Sequence, residues 1–405
     1  VFLANLVYNV QTEHQQFLDL DLCSAVKPLI CKAMWRLSRK SGLYPKCFIL
    51  YGLQKVGQQV AAGGFGDIWK GVVYGQSVCV KAMRVFQEAD VQALLKEFGR
   101  EAAIWRQLCH PNLLPFFGLY YMDARLCLVS PWLENGNIME FLRKKPSAHR
   151  PPPARQFILD VALGLKYLHD QNVVHGDLKA INILVTPSQR ACIADFGLSS
   201  LVNAMTLRFT NSTAPAHGGT ARYQAPELFQ GDSQNSFGSD VYAFACVCYE
   251  ILTGKVPFHE FPNDMKVMFG VAAGKRPSRP ISCSGTPVLD SLWELLQNCW
   301  DGELEMRPTT EQIVDRLVGP TIRATTTSSK TDWDDTFTSK FRRSIQAQPL
   351  LPSVTQIEIM LFGADIAEGC KECFPNPESS TPRNKKDFPE PGRWLKRTYE
   401  EQLIG

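Results

Sequence analysis

Asp177, Lys179 and Asn182 share one short polar run, Asp177-Leu178-Lys179-Ala180-Ile181-Asn182. A carboxylate at Asp177 could accept or orient the proton of an attacking hydroxyl. The ammonium of Lys179 could neutralise a transferring phosphoryl group, and the amide oxygen of Asn182 could ligate a hard cation. Asp195, in Asp195-Phe196-Gly197 behind the strand-like run Ala191-Cys192-Ile193-Ala194, offers a second oxygen of the same kind, so Asn182 and Asp195 are candidate Mg²⁺ ligands. Lys81 follows the apolar residues Val78-Cys79-Val80 and has to find an anion there, because burying an ammonium unpaired is costly. Glu101, between Phe98 and Ala102 on the apolar face of a helical segment, is the partner on offer. Gly63, Gly64 and Gly66 let the backbone approach phosphate oxygens and point N–H groups at them. Singly, each has a plainer reading: a solvated loop, an edge lysine, a surface glutamate, a hairpin turn. In this order they supply what phosphoryl transfer requires.

The elements around these residues follow from hydrophobic spacing. Residues 48–130 are strand-rich, and the glycine cluster is flanked by strands. That argues against a Rossmann site or a Walker-type loop, both of which need a helix directly afterwards. Val72–Tyr74 and Ser77–Lys81 form a hairpin turned at Gly75-Gln76, and Leu113–Tyr121 and Arg125–Ser130 are two more strands. Residues 90–108 have helical spacing. Residues 132–318 are mainly helical, with helices starting behind Glu134-Asn135-Gly136, over 154–170, and around 239–253, 263–273, 288–299 and 309–318. Lys144–Pro153 reads as a basic, proline-rich loop, and Leu198–Gly219 as a long mobile one. Residues 1–45 form an N-terminal extension with an amphipathic helix that packs on the adjoining domain, and 319–405 is a Ser/Thr- and Pro-rich tail, mostly disordered.

Composition narrows the classes. A formal net charge of +3 gives no bulk electrostatic reason for nucleic-acid binding. No apolar stretch reaches the ~18 residues of a membrane span. Thirteen cysteines, without framework spacing, fit a reducing compartment, and a cytoplasmic location is expected. Cys370 and Cys373 lack the second pair or the histidines a zinc site requires. Val1–Val10 lacks the basic start of a secretory signal.

Over about residues 55–318 the chain resembles the eukaryotic protein kinases. The motifs occur in the family's order: the glycine-rich loop at Ala61–Ile68, Lys81, Glu101, His175–Asn182, Asp195-Phe196-Gly197, Ala225-Pro226-Glu227, Asp240 and Arg307. The resemblance implies an α+β, bilobal protein kinase fold over 46–318, with a β-rich N-lobe (about 46–130) and a helical C-lobe (about 131–318). It implies ATP and Mg²⁺ as cofactors, protein Ser/Thr hydroxyls as acceptors, and a place in signal transduction. By the same likeness, Ala61, Gly63, Gly64, Phe65 and Gly66 cover the phosphates, and Ile68, Cys79 and Leu184 sandwich adenine. Pro131, Trp132 and Leu133 form the hinge, Ser130 is the gatekeeper, and Trp105, His175 and Phe196 stack between the lobes. Asp240 anchors the catalytic loop backbone, and Arg307 pairs with Glu227.

Lys179 after Asp177, with Thr220 placed to contact both, is similar to the serine/threonine kinases. His110-Pro111-Asn112 and Pro131-Trp132 are similar to the tyrosine-kinase-like group. Leu37–Pro45 and Ala61–Asp67 are similar to kinases expanded in mushroom-forming fungi. Three positions depart from the family: Ala61 for the first loop glycine, Cys79 for alanine, and Gly176 for the arginine of His-Arg-Asp. Without that arginine, the usual coupling to an activation-loop phosphate cannot operate. Two alternatives stand beside the enzyme. One is a pseudokinase scaffold that binds nucleotide and partners without catalysis, and the other is a kinase-fold enzyme acting on small molecules.

Overall fold

The computed structural model describes residues 50–62, 66–83, 108–122, 125–145, 151–196, 220–229, 234–279, 287–322, 332–334 and 337–345. They belong to one unit, Phe48–Ile345. The expected N-terminal helix and the helical segment carrying Glu101 lie outside the described residues, as do Gly63, Gly64, Phe65, Trp105 and all of Leu198–Gly219.

Five antiparallel strands make the small lobe: β1 (Leu53–Ala62), β2 (Gly66–Val73), β3 (Gln76–Met83), β4 (Gly118–Met122) and β5 (Arg125–Pro131), in the order β1-β2-β3-β5-β4. The β2–β3 hairpin turns one residue earlier than its sequence suggests, at Tyr74-Gly75, with φ of 49° and 84°. Two successive positive φ values match the twist of the flanking strands. Only the end of the apolar run Leu113–Tyr121 becomes strand. Leu113 instead makes a single bridge to Ile193, and the Leu114 amide donates to the Ile193 carbonyl at 2.8 Å.

Register decides which face each residue serves. Ile68 lies opposite Lys81, and Cys79 opposite Ser130, so these four share the front of the sheet. Val80 lies opposite Val129 and Ala82 opposite Cys127, on the back. The back face is a core of Leu53, Val73, Val78, Val80, Ala82 and Val129.

The large lobe is helical: α1 (Ile138–Lys144), α2 (Pro151–Asp170), α3 (Phe237–Thr253), α4 (Asp264–Ala272), α5 (Pro287–Cys299) and α6 (Thr310–Ile322), with a short hairpin of β6 (Ile183–Val185) and β7 (Ala191–Ile193). α2 begins at Pro151, earlier than the sequence suggests. A first turn needs no N–H donors from its own residues, so prolines fit there. α3 is the buried centre: Ser236 caps it with a capping box, and Gly254 ends it in the left-handed conformation.

Beyond residue 318 the described chain holds further helix. α6 continues to Ile322, and a further helix, α7 (Phe337–Ile345), packs with Phe341 in the core behind the small-lobe sheet. Two aromatic residues one helical turn apart, Phe337 and Phe341, supply the apolar edge. Against a polar background, so short a pattern is not readable as a helix.

Buried charge networks complete the large lobe. Asp160, wholly buried on α2, accepts from the Arg190 guanidinium and, at 2.9 Å, from the Ala191 amide. Neither residue stood out in the sequence, because a carboxylate facing inward from a helix has no local mark.

His110 stacks on Tyr167 with ring centroids 5.0 Å apart, and its Nδ1 accepts from the Asn112 amide at 3.1 Å. Burial lowers its pKa to about 4. The unfolded chain therefore takes up a proton at this residue near pH 6.5, where the folded one does not. Full stability is expected above that pH, with progressive loss as pH falls towards 4. At about 1.4 kcal/mol per tenfold, the loss reaches up to about 3 kcal/mol. Denaturant titrations from neutral to acid pH should show this slope, and His110→Gln should flatten it. An unchanged slope in the variant would assign the acid sensitivity elsewhere.

Candidate active site

The loop carrying Asp177 is built on α2 and α3. α2 ends at Asp170, and the chain then turns through Asn172, at φ 57°. Asp240 near the start of α3 collects the next residues. Its Oδ2 accepts from the His175 amide at 2.7 Å and from His169 Nε2 at 3.0 Å, and its Oδ1 accepts from the Gly176 amide at 2.9 Å. Gly176 sits at φ 77°, in the left-handed region that favours glycine. The glycine that departs from the family pattern thus has a conformational fit at this turn.

His175 is buried. Its Nε2–H donates to the Ala194 carbonyl at 3.1 Å, which leaves Nδ1 to accept from the Asp177 amide at 3.2 Å. One imidazole therefore ties the backbone of Asp177 to the residue before Asp195. The Ala194 amide in turn donates to the Asn182 carbonyl at 2.8 Å. The loop and the strand-end aspartate are held as one body.

Within it, Lys179 Nζ lies 2.7 Å from Asp177 Oδ2, and Asn182 Nδ2 donates to the Asp177 carbonyl at 2.9 Å. The amide nitrogen of Asn182 is thus engaged, which turns its Oδ1 into the atom offered to a cation. Asp195 adopts φ 60°, and its Oδ2 is 2.7 Å from Lys81 Nζ. The sequence pointed to Glu101 as the partner of Lys81. The described ion pair is with Asp195, and Glu101 lies outside the described residues. The Lys81–Asp195 pair joins the two lobes.

Among the described residues, no cluster of three or more His, Cys, Asp or Glu could hold a metal. Asn182 and Asp195 offer two side-chain oxygens on adjoining backbone. This donor set suits Mg²⁺, which keeps near-octahedral oxygen coordination through one or two carboxylates plus substrate phosphates.

On the small-lobe side, Ile68, Cys79, Lys81 and Ser130 share the front of the sheet, and Leu184 lies on β6, bridged to Asn137 at the start of α1. Burial, with the nearby Asp195 carboxylate, pushes the Cys79 thiol up to about 11, so it is neutral at pH 7 and serves as apolar bulk. Trp132 and Leu133 follow β5 at the lobe junction, and the Trp132 amide reaches the Ser77 carbonyl at 3.4 Å. Ala61 sits near the end of β1, opposite Ile68. Gly66 has a packing reason as well as the expected phosphate-facing one: a Cβ there would lie 2.4 Å from the Ala82 carbonyl oxygen.

The short turns Thr220–Tyr223 and Pro226–Phe229 are pinned to the large lobe. Thr220 opens a 3₁₀ turn, Thr220–Tyr223; the contacts expected of its side chain lie outside the described residues. Arg222 donates to the carbonyls of Pro257, Phe258 and Phe261 at 3.0, 2.7 and 3.0 Å. Tyr223 donates its hydroxyl to Glu250, whose carboxyl is raised by burial. Sequence reasoning passed over both residues, since only distant partners give them work. Arg307 grips Glu227 through two bonds of 2.7 Å, the pairing expected from the sequence. A small pocket lined by Asp177, Tyr223, Gln224, Leu228 and Ser239 lies beside the loop.

Comparisons with known proteins agree with this arrangement. Residues 54–317 match the family described as protein tyrosine and serine/threonine kinase. The serine/threonine-protein kinase STY46 of Arabidopsis thaliana is 31% identical over 65% of this chain and 43% of its own length. The serine/threonine/tyrosine-protein kinase HT1 of the same plant is 30% identical over 64% of each chain. The dual specificity protein kinase shkC of Dictyostelium discoideum is 34% identical over 64% of this chain and 49% of its own length. The chain thus spans less than two thirds of these relatives. No described helix is long and apolar enough to cross a membrane. With the family's match extending over about two thirds of its length, a sheet-rich small lobe and a helical large lobe, the chain belongs to the protein tyrosine and serine/threonine kinase family.

Proposed function

We propose that the chain transfers the γ-phosphoryl group of ATP to Ser/Thr hydroxyls of proteins. The observation that carries this is the joining of Asp177, Lys179, Asn182 and Asp195 into one hydrogen-bonded body, ion-paired to Lys81 across the lobes. Lys81 and the glycine-rich strands hold the phosphates, and Asn182 and Asp195 hold Mg²⁺. The metal, when bound, neutralises charge on the phosphates. Asp177 orients the acceptor hydroxyl and takes up its proton as the new O–P bond forms and the bond from the γ-phosphorus to the β–γ bridging oxygen breaks, releasing ADP. Lys179, already beside Asp177, offsets charge on the group in transit. Ile68, Cys79, Leu184, Ser130, Trp132 and Leu133 enclose adenine.

Serine/threonine preference is supported by Lys179 and by the names of the relatives, one of which is a serine/threonine/tyrosine and another a dual specificity kinase. Membership of the tyrosine-kinase-like group is supported by His110-Pro111-Asn112 and Pro131-Trp132; the fungal likeness rests on Leu37–Pro45 and Ala61–Asp67 alone. A signalling role in the cytoplasm, with protein substrates as partners, is part of the same proposal. So is the domain division, including Thr220 and Glu101 in the machinery. Gly176 supports activity that does not require an activation-loop phosphate docking beside Asp177.

The test is Mg·ATP turnover on a protein acceptor by the purified chain against Asp195→Ala. The parent should turn over, the variant should lose at least about a hundredfold, and phosphatase treatment of the parent should leave its rate intact. Equal rates in parent and variant would leave the scaffold reading. Phosphorylation confined to small molecules would redirect the acceptor assignment, and loss on dephosphorylation would overturn the role given to Gly176.

A further inference from the structure

The family match ends at residue 317, yet the folded unit continues to Ile345. Beyond α6, residues 332–334 and α7 make a chain of contacts that starts on the large lobe and ends on the small one. Asp332 accepts from the Ser188 amide at 3.1 Å and from the Ser188 hydroxyl, on the turn between β6 and β7. Trp333, 4% exposed, donates its indole N–H to the His110 carbonyl at 3.0 Å. The Cys109 thiol lies 3.1 Å from the Asp334 carbonyl. Phe341 then stacks on Phe117 with ring centroids 3.7 Å apart and planes 7° from parallel, and Phe337 lies 5.8 Å from the same ring.

The face that receives Phe341 is decisive. Val78, Val80 and Ala82 point to it from β3, while Cys79 and Lys81 alternate to the front. α7 therefore backs the strand that carries Lys81. The candidate site is divided between the lobes: Lys81 belongs to one, and Asp177, Asn182 and Asp195 to the other. The backbone passes between the lobes at 131–133, the Leu113–Ile193 bridge and the Lys81–Asp195 pair join them elsewhere, and the Asp332–Phe341 contacts add a further tie. Each added tie leaves the small lobe less freedom to tilt, and misplacing a phosphate-binding ammonium by about 1 Å is enough to weaken its work.

We propose that residues 332–334 and α7 form an intramolecular brace, which positions Lys81 over the catalytic loop and sets the affinity for Mg·ATP. This rests on the nucleotide-binding part of the kinase reading. The test uses the full chain with three substitutions: Phe341→Asp, which puts a charge into the apolar back face; Trp333→Phe, which removes one hydrogen bond; and Ser188→Glu, which sets a like charge against Asp332 at a solvent-facing turn. Mg·ATP affinity by calorimetry, KM for ATP, KM for the acceptor protein and Tm are measured for each.

A weakening of ATP affinity of about threefold or more is expected for Phe341→Asp and Ser188→Glu, with the acceptor KM nearly unchanged. Trp333→Phe should show a smaller effect in the same direction. A synthetic peptide with the sequence of 332–345 should restore ATP affinity to Phe341→Asp. A role in stability alone would lower Tm and the active fraction while leaving ATP affinity and KM at parental values, and that result overturns the brace. Should Phe341→Asp not fold, Ser188→Glu decides by the same criterion. A parent that binds ATP in a brace-dependent way without turnover would overturn the enzyme reading and leave the brace standing.

Discussion

Asp177→Asn is expected to lower kcat by about 10²–10⁴-fold with little change in KM for ATP. The side chain is nearly isosteric, so the fold should survive. The chemistry changes at Oδ2, which lies 2.7 Å from Lys179 Nζ and 3.4 Å from Asn182 Nδ2. A carboxylate there accepts from both and has the charge to draw a proton from a hydroxyl. An amide has no such basicity and removes the negative charge beside Lys179. The nucleotide contacts assigned to Lys81 and the strand face are untouched, so the loss belongs in kcat. Steady-state kinetics with ATP and a protein acceptor varied separately will decide. A kcat within about threefold of the parent would remove Asp177 from the proton-accepting role. Lys179→Met should also lower kcat, and because Lys179 and Asp177 act as a pair, the double variant should lose less than the product of the two.

Asp240→Ala is expected to destabilise the folded chain by about 3–5 kcal/mol, the usual result of stripping one partner from a buried charged network. Asp240 is 2% exposed, and its two oxygens accept from the His175 and Gly176 amides and from His169 Nε2. Without it, two backbone N–H groups at the root of the loop lose their acceptor, each at about 1–3 kcal/mol. Domain stabilities are only about 5–15 kcal/mol, so the change is large. Whatever fraction still folds has lost the clamp on Gly176 and should turn over poorly. Asp240→Asn keeps one acceptor but presents an NH₂ to a donor, so it should fall between parent and Ala. Urea titrations followed by tryptophan fluorescence measure the order. A loss below about 1 kcal/mol for Asp240→Ala would show that the loop holds its shape without the anchor.

These two residues differ in how the chain reveals them. Asp177, Lys179 and Asn182 stand together in six residues between apolar runs, so their chemistry is visible from type and spacing. Asp240 sits near the start of a helix with no nearby charge, and only its likeness to a family position gave it a role. Asp160, Arg222, Tyr223 and Glu250 have no local signal, because, apart from Gln156 four residues before Asp160, the partners that fix them lie 27 or more residues away.

Strand and helix positions followed from hydrophobic period and turn residues, and most of the large-lobe helices lie close to where their spacing puts them. The misreadings occurred where local rules compete. Prolines read as loop were the first turn of α2. Within the tail, α7 carries no readable local pattern, because Phe337 and Phe341 meet their apolar face elsewhere in the chain.

By itself the sequence determined which groups could do the chemistry, their order along the chain and the class of fold that would assemble them, since these depend on residue type and short-range period. Tertiary structure alone decided that Asp195 lies beside Lys81 and which sheet face Lys81 shares with Cys79, Ser130 and Ile68. It also decided that a segment beyond the matched region completes the small lobe. Pairing and burial are set between residues far apart in the chain, where a charge or a ring finds its partner only after the backbone has brought the two surfaces together.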